Sequence, residues 1–157
     1  LGSAVLAQMD EDADAAYVTI TAEPREFIEP SQSWGDPLYS SRDGVVVFDL
    51  EASDPRLSGE FSTFWNVDVD LDTQHGMMWG TTRIDNAGGT WEGPFTGMEY
   101  ETAEGGLYAT SGVMTGSGEY ADYAFYYHVD AEQHGGDLHR WHGVVYKGQP
   151  PAPEPAE

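Results

Sequence analysis

The stretch from Met77 to Tyr127 limits what this chain can fold into more than any other. Strand-like segments follow one another there: MMWGTTRI, TWEGPFTGMEY, GLYATSGVM and EYADYAFYYHV. Each is rich in aromatic and β-branched residues and bounded by glycine, the pattern of short strands joined by tight turns. Eleven glycines stand between Gly76 and Gly118. Within strands glycine costs stability and marks a bulge, a bend or a close backbone approach. Pro94 falls in mid-strand and cannot donate to a ladder, which requires an edge or a bulge at that point.

The flanking sequence continues the pattern. Counting gives eight strands, at about 16–22, 44–52, 57–69, 77–84, 89–100, 106–115, 118–129 and 138–147, and no segment sustains a helical period. The third alternates Gly59, Phe61, Thr63, Trp65, Val67 and Val69 against Glu60, Ser62, Asn66 and Asp68, with Phe64 alone out of step. Residues 23–43 carry Pro24, Pro30 and Pro37 and read as a long irregular loop, anchored by Trp34, Leu38 and Tyr39 as a flap over one end of the fold. Eight strands with short connections after the third predict an all-β, eight-stranded antiparallel up-and-down barrel, with a β-sandwich as the alternative. The expected organisation is a processed, disordered acidic segment over 1–15, one barrel domain over 16–148 and a proline-rich acidic tail over 149–157.

Charge excludes more than it selects. The chain has 28 Asp and Glu against six Lys and Arg, a formal charge of −22. Such a surface repels phosphate backbones and anionic lipid, so neither nucleic acid nor a membrane surface is expected as a partner. The plain reading is a solvated, self-repelling surface; the sharper one is a divalent cation or a cationic partner. No cysteine is present, which removes thiol chemistry, cysteine–zinc sites and disulfides. No run approaches the roughly 18 apolar residues of a membrane-spanning helix. Val5 and Ala7 occupy the −3 and −1 positions of a signal-peptidase site before Gln8, which points to a secreted, periplasmic or extracellular protein; a cloning scar in Leu-Gly-Ser is the alternative.

The turn and strand GSGEY, Gly116–Tyr120, resembles the G-x-G-x-Y turn of the allene oxide cyclase and dirigent-like barrels. The run from Trp79 to Gly97 resembles the corresponding hairpin in small bacterial proteins of that barrel type. The resemblance covers roughly Gly44–Lys147. It implies an eight-stranded barrel whose mouth takes an apolar ligand and, in some members, cyclisation of reactive intermediates steered by shape. The plant cyclases use a cysteine among their polar interior residues, and this chain has none.

Several residue groups could carry function. If Val129 pairs with Leu138, Tyr127 faces Arg140 and Phe125 faces His142 on a largely apolar face with Tyr123. Arg140 and His142 would then lie inside, as a catalytic pair polarising a substrate or as a satisfied structural pair. His128 would face His139 on the other side, near Asp130, Asp137 and His134, as a zinc-type cluster or as solvated side chains. Asp68, Asp70 and Asp72 resemble the opening of a calcium loop, but Thr73 replaces its turn glycine and Trp79 its final glutamate; a solvated turn is the alternative. Pairing Ile84 with Thr90 sets Trp79 opposite Phe95 and Arg83 opposite Trp91. With Trp65, these are either ordinary sheet contacts or the lining of a pocket. The candidate ligand-binding residues are therefore Trp65, Trp79, Trp91, Phe95, Tyr123 and Tyr127. No cofactor is expected, and oligomeric state is open. Three functions follow: a barrel binding a small apolar ligand or acting as a structural module, a cofactor-free cyclase or isomerase using Arg140 and His142, and a carbohydrate-binding domain with coplanar exposed tryptophans.

Overall fold

A computed structural model describes residues 15–102 and 105–149. The acidic segment and the proline-rich tail predicted for the two ends fall outside these residues, save Ala15 and Gln149. The described residues form nine strands: β1 (Ala15–Ile28), β2 (Ser31–Trp34), β3 (Leu38–Ala52), β4 (Gly59–Asp70), β5 (His75–Asn86), β6 (Gly89–Thr102), β7 (Gly105–Gly116), β8 (Tyr123–Gln133) and β9 (His139–Lys147). From β3 to β9 each strand pairs antiparallel with the next, and β1 pairs with both β9 and β3. The result is a closed eight-stranded antiparallel barrel of up-and-down connectivity, as the sequence predicts.

The extra strand lies in the segment read as a flap. Ile28 pairs with Val45 and Ser31 with Arg42, so β2 continues β1 in the same register past Glu29 and Pro30. Residues 23–43 are thus not an irregular loop but the far part of a long hairpin. The three prolines do not prevent pairing because each occupies a tolerated place: Pro24 beside the β1 bulge, Pro30 in the break between strands, Pro37 in the turn. Pro94 sits where the β6–β7 ladder lapses between Glu92↔Thr115 and Phe95↔Gly112, without a change of register.

Alternation sets the interior. On β4, Phe61, Val67 and Val69 are buried while Phe64 points outward, half exposed. The same period buries Phe125, Tyr127 and Val129 on β8, and His139, Trp141 and Val145 on β9. One row of cross-strand neighbours alternates glycine with an aromatic ring through seven strands: Gly44, Trp65, Gly80, Phe95, Gly112, Tyr127, Gly143. A small wall cannot hold large residues at every position of one level, so large and small alternate. The approach is close: a Cβ on Gly44 would meet Trp65 Cε2 at 2.2 Å, and one on Gly112 would meet Tyr127 Cε1 at 2.6 Å.

One end of the barrel is shut. A 3-10 turn, Pro55–Leu57, lies across it with Leu57 fully buried. The Trp91 indole N–H donates to Arg56 O at 2.9 Å, and Asn86 Nδ2 donates to Arg56 O and to Ser58 O at 2.9 and 3.1 Å. Tyr120 stacks on Trp91 at 5.1 Å and donates its hydroxyl to Asn86 at 2.8 Å. Every polar atom named there has a partner, as a buried plug requires.

Candidate functional site

The other end opens into a lumen. β1 leaves β9 after Ala22↔His139 but stays on β3 as far as Ile28. Pro24–Phe27 therefore face the loop 134–136 across a gap in the strand ladder, and both segments line a cavity of ≈ 550 Å³. Its walls are mainly aromatic: Phe48, Phe61, Trp65, Phe95, Tyr127 and Trp141 all contribute. Such a volume lies in the roughly 300–1,000 Å³ range of small-molecule sites.

A short polar chain crosses the neck. His139, 4% exposed, places Nε2 3.1 Å from Gly136 O and Nδ1 2.9 Å from the Tyr108 hydroxyl. A carbonyl only accepts, so Nε2 carries the proton and Nδ1 accepts the Tyr108 O–H. Burial lowers the His139 pKa, against the pull of the Glu132 carboxylate 4.0 Å away. Burial raises Tyr108, with Glu132 adding to it, and burial likewise raises Tyr127, whose hydroxyl donates to Thr82 at 3.3 Å. Both phenols are therefore neutral donors near pH 7. The Trp141 N–H favours the Tyr108 oxygen electrostatically but falls outside hydrogen-bonding geometry. It and Ser41 Oγ are the two fully buried side-chain polar atoms without a partner among the described residues.

Three of the six predicted ligand residues, Trp65, Phe95 and Tyr127, line the lumen. The other three do not. Trp91 belongs to the plug, and Tyr123 lies under the Arg56 guanidinium at 4.7 Å beside it. Trp79 is on the outer wall, with Arg42 4.9 Å over its ring. The β5–β6 hairpin turns on Ala87–Gly88 and pairs Ile84 with Trp91, one residue from the predicted register. A one-residue slip exchanges the faces, so Trp79 meets Thr96 rather than Phe95, and Arg83 meets Glu92 rather than Trp91.

The β8–β9 hairpin corrects the catalytic pair in the same way. Val129 pairs with Trp141, not Leu138, a shift of three, which is odd and so again exchanges faces. Arg140 and His142 lie on the outer wall, and His139 and Trp141 are inside instead. His128 meets His142 rather than His139, with ring centroids 5.5 Å apart. Its Nδ1 lies 2.7 Å from Ser111 Oγ and its Nε2 3.1 Å from Asp130. The aspartates of the β4–β5 turn diverge. Asp68 binds Arg42 and Ser40, both at 2.6 Å, while Asp70 accepts the N–H groups of Asp72 and Thr73 at 2.9 and 3.0 Å. These bonds lower both carboxyl pKa values, the Ser40 bond leading for Asp68 and the Thr73 backbone bond for Asp70. Among the described residues no three His, Asp or Glu converge as a metal site.

The tryptophans offer no coplanar exposed pair either. Trp34, 70% exposed, packs tilted against Tyr39 at 4.4 Å, Trp79 is under Arg42, and Trp65, Trp91 and Trp141 face inward. The alternation of β7 brings in Tyr108, in step with Thr110 and Met114, which are buried; that signal was present in the sequence. No protein-family model, no curated protein and no solved structure matches the chain.

Proposed function

We propose that this protein is a binding barrel that takes one small, mainly apolar molecule into its lumen. The observation that carries the proposal is the aromatic cavity of ≈ 550 Å³, open beside the loop 134–136 while the opposite end is plugged. The opening admits water, and release of that water from apolar walls favours entry of an apolar ligand. An open, largely apolar lumen of this size is the form that small-molecule sites take. The barrel type implied by the Gly116–Tyr120 turn supports the same reading. The cyclase reading keeps Trp65 and Tyr127 in the lumen but loses the two groups that would polarise its substrate, because Arg140 and His142 are outside.

The test uses N-phenyl-1-naphthylamine, an apolar dye that brightens on leaving water. Saturable binding of one dye per chain is expected, and Thr110→Trp, which fills the lumen from β7, should abolish it while the fold stays cooperative. Absence of saturable binding, or binding that survives Thr110→Trp, refutes the proposal.

A further inference from the structure

The charges around the lumen narrow the class of ligand. All six Lys and Arg of the chain lie among the described residues, and only Arg25 touches the cavity. Its guanidinium is already committed to Asp49, at 3.0 Å, and to Glu60. Arg42, Arg56 and Arg83 are held by Asp68, by Asp54, and by Asp85 with Glu92. Arg140 is on the outer wall and Lys147 at the far end of β9. No free cation is placed to receive an anionic head.

Carboxylates, by contrast, stand behind the neck. Glu99, its side chain only 14% exposed, lies 3.5 Å from His134, which lines the cavity. Glu132, 24% exposed, stands 4.0 Å from His139 and accepts the Arg140 backbone N–H. Glu26 lines the mouth itself. Low-dielectric walls focus the field of such groups into the cleft, and the chain's charge of −22 adds the same sign from all round. The walls are aromatic faces, which attract a cation within about 6 Å of a ring.

Resting on the lumen reading above, we infer that the ligand is a hydrophobic cation, an amine or quaternary ammonium with an apolar body. The body lies among Phe61, Phe95 and Trp141, and the charged head sits in the neck against His134 and His139, in the field of Glu99 and Glu132 behind them. A fatty acid or other apolar anion is rejected.

Three probes with one tail separate a charge preference from binding in the lumen as such: octyltrimethylammonium, octanol and octanoate, each displacing N-phenyl-1-naphthylamine at pH 8. The expected order is cation, then alcohol, then carboxylate, with at least tenfold between the first and last in 50 mM salt and a narrower gap in 500 mM. Glu99→Gln with Glu132→Gln should cut the cation-to-anion ratio at least threefold and leave octanol unchanged. If that double variant no longer binds dye, the two single variants replace it. Octanoate binding as tightly as the cation, or a ratio unmoved by the Gln variants, overturns the inference while leaving the lumen reading intact. Failure of the dye and all three probes overturns the lumen reading itself.

Discussion

The alternating glycine–aromatic row makes a prediction that a double-mutant cycle can isolate. Gly44 stands directly across from Trp65. A Cβ there would lie 2.2, 2.4 and 2.8 Å from Trp65 Cε2, Cζ2 and Cδ2, with no other group among its three nearest atoms. Carbon atoms in good contact sit about 3.5–4.0 Å apart, so the indole must move by more than about 1 Å. Overpacking of this kind costs about 1–3 kcal/mol. Replacing glycine by alanine in a strand returns roughly 0.5–1 kcal/mol, so Gly44→Ala should lose about 1–2 kcal/mol net. For a chain of this length that lowers Tm by about 2–8 °C. In a Trp65→Leu background the clash is gone, and the same Gly44→Ala step should become neutral or stabilising. The coupling energy is then about 2 kcal/mol, read from urea unfolding of the four proteins by circular dichroism. Because the displaced indole has the lumen on its free side, Gly44→Ala should also weaken dye binding. An unchanged stability for Gly44→Ala, or an equal loss in both backgrounds, refutes the argument.

Three further outcomes follow. The His139 pKa is lowered in the fold, so protons bind the unfolded chain more readily. Its contribution to stability is complete above about pH 6.5 and is lost as pH falls through the depressed native value. The urea midpoint of the wild type should therefore drop more between pH 7 and pH 5 than that of His139→Gln. The losses from Asp68, Asp70 and Asp85, whose pKa values are also depressed, belong below their ordinary value of 3.8. Trp91→Phe removes a plug hydrogen bond of about 1 kcal/mol, yet dye affinity should hold, whereas Phe95→Ala should change it; equal effects on binding would contradict the assignment of Trp91 to the plug. Arg140→Ala and His142→Ala, on the outer wall, should each shift stability by no more than about 0.5 kcal/mol and leave dye binding alone; a large loss of binding in either would put those residues back in the site.

The fold was legible because its signals are local. Alternation on β4, the glycines between strands and the short connections after residue 57 each act within a few positions, and together they specify a barrel. The site was less legible because it depends on register across hairpins, and register errors act on side chains through parity. A slip of one at Ala87–Gly88 moved Trp79 and Arg83 outside. An odd shift across the loop after β8 removed Arg140 and His142 and brought in His139 and Trp141. On β8 the inward face is legible because Phe125, Tyr127 and Val129 stand together against His128 and Asp130 on the other side. On β9 both faces carry large residues, Arg140, His142, Val144 and Tyr146 on one and His139, Trp141 and Val145 on the other, so hydrophobicity could not choose. The proline-bearing hairpin of residues 23–43 escaped for a different reason: its prolines sit at interruptions that only the pairing reveals.

The existence of a cavity needs one step more than register. Large aromatic residues inside a small barrel ordinarily fill it, and Trp65, Phe95 and Tyr127 stand at one level of the wall. Here each ring lies over the glycine across from it on the preceding strand. Trp65 covers Gly44, Phe95 Cε1 comes within 2.9 Å of the Cβ position of Gly80, and Tyr127 covers Gly112. The rings are laid along the wall rather than aimed at the axis, so the lumen keeps its volume and gains flat apolar faces. The glycines that let the sheet bend are thus the same ones that keep the interior open, and filling Gly44 or Gly112, where the ring is the nearest group, should push it toward the axis. The row therefore predicts that barrel stability and ligand capacity fall together at Gly44 and Gly112, whereas at Gly80 an added Cβ meets Phe64 O at 1.8 Å and should break the β4–β5 pairing itself. Filling from the plugged end should lower stability alone.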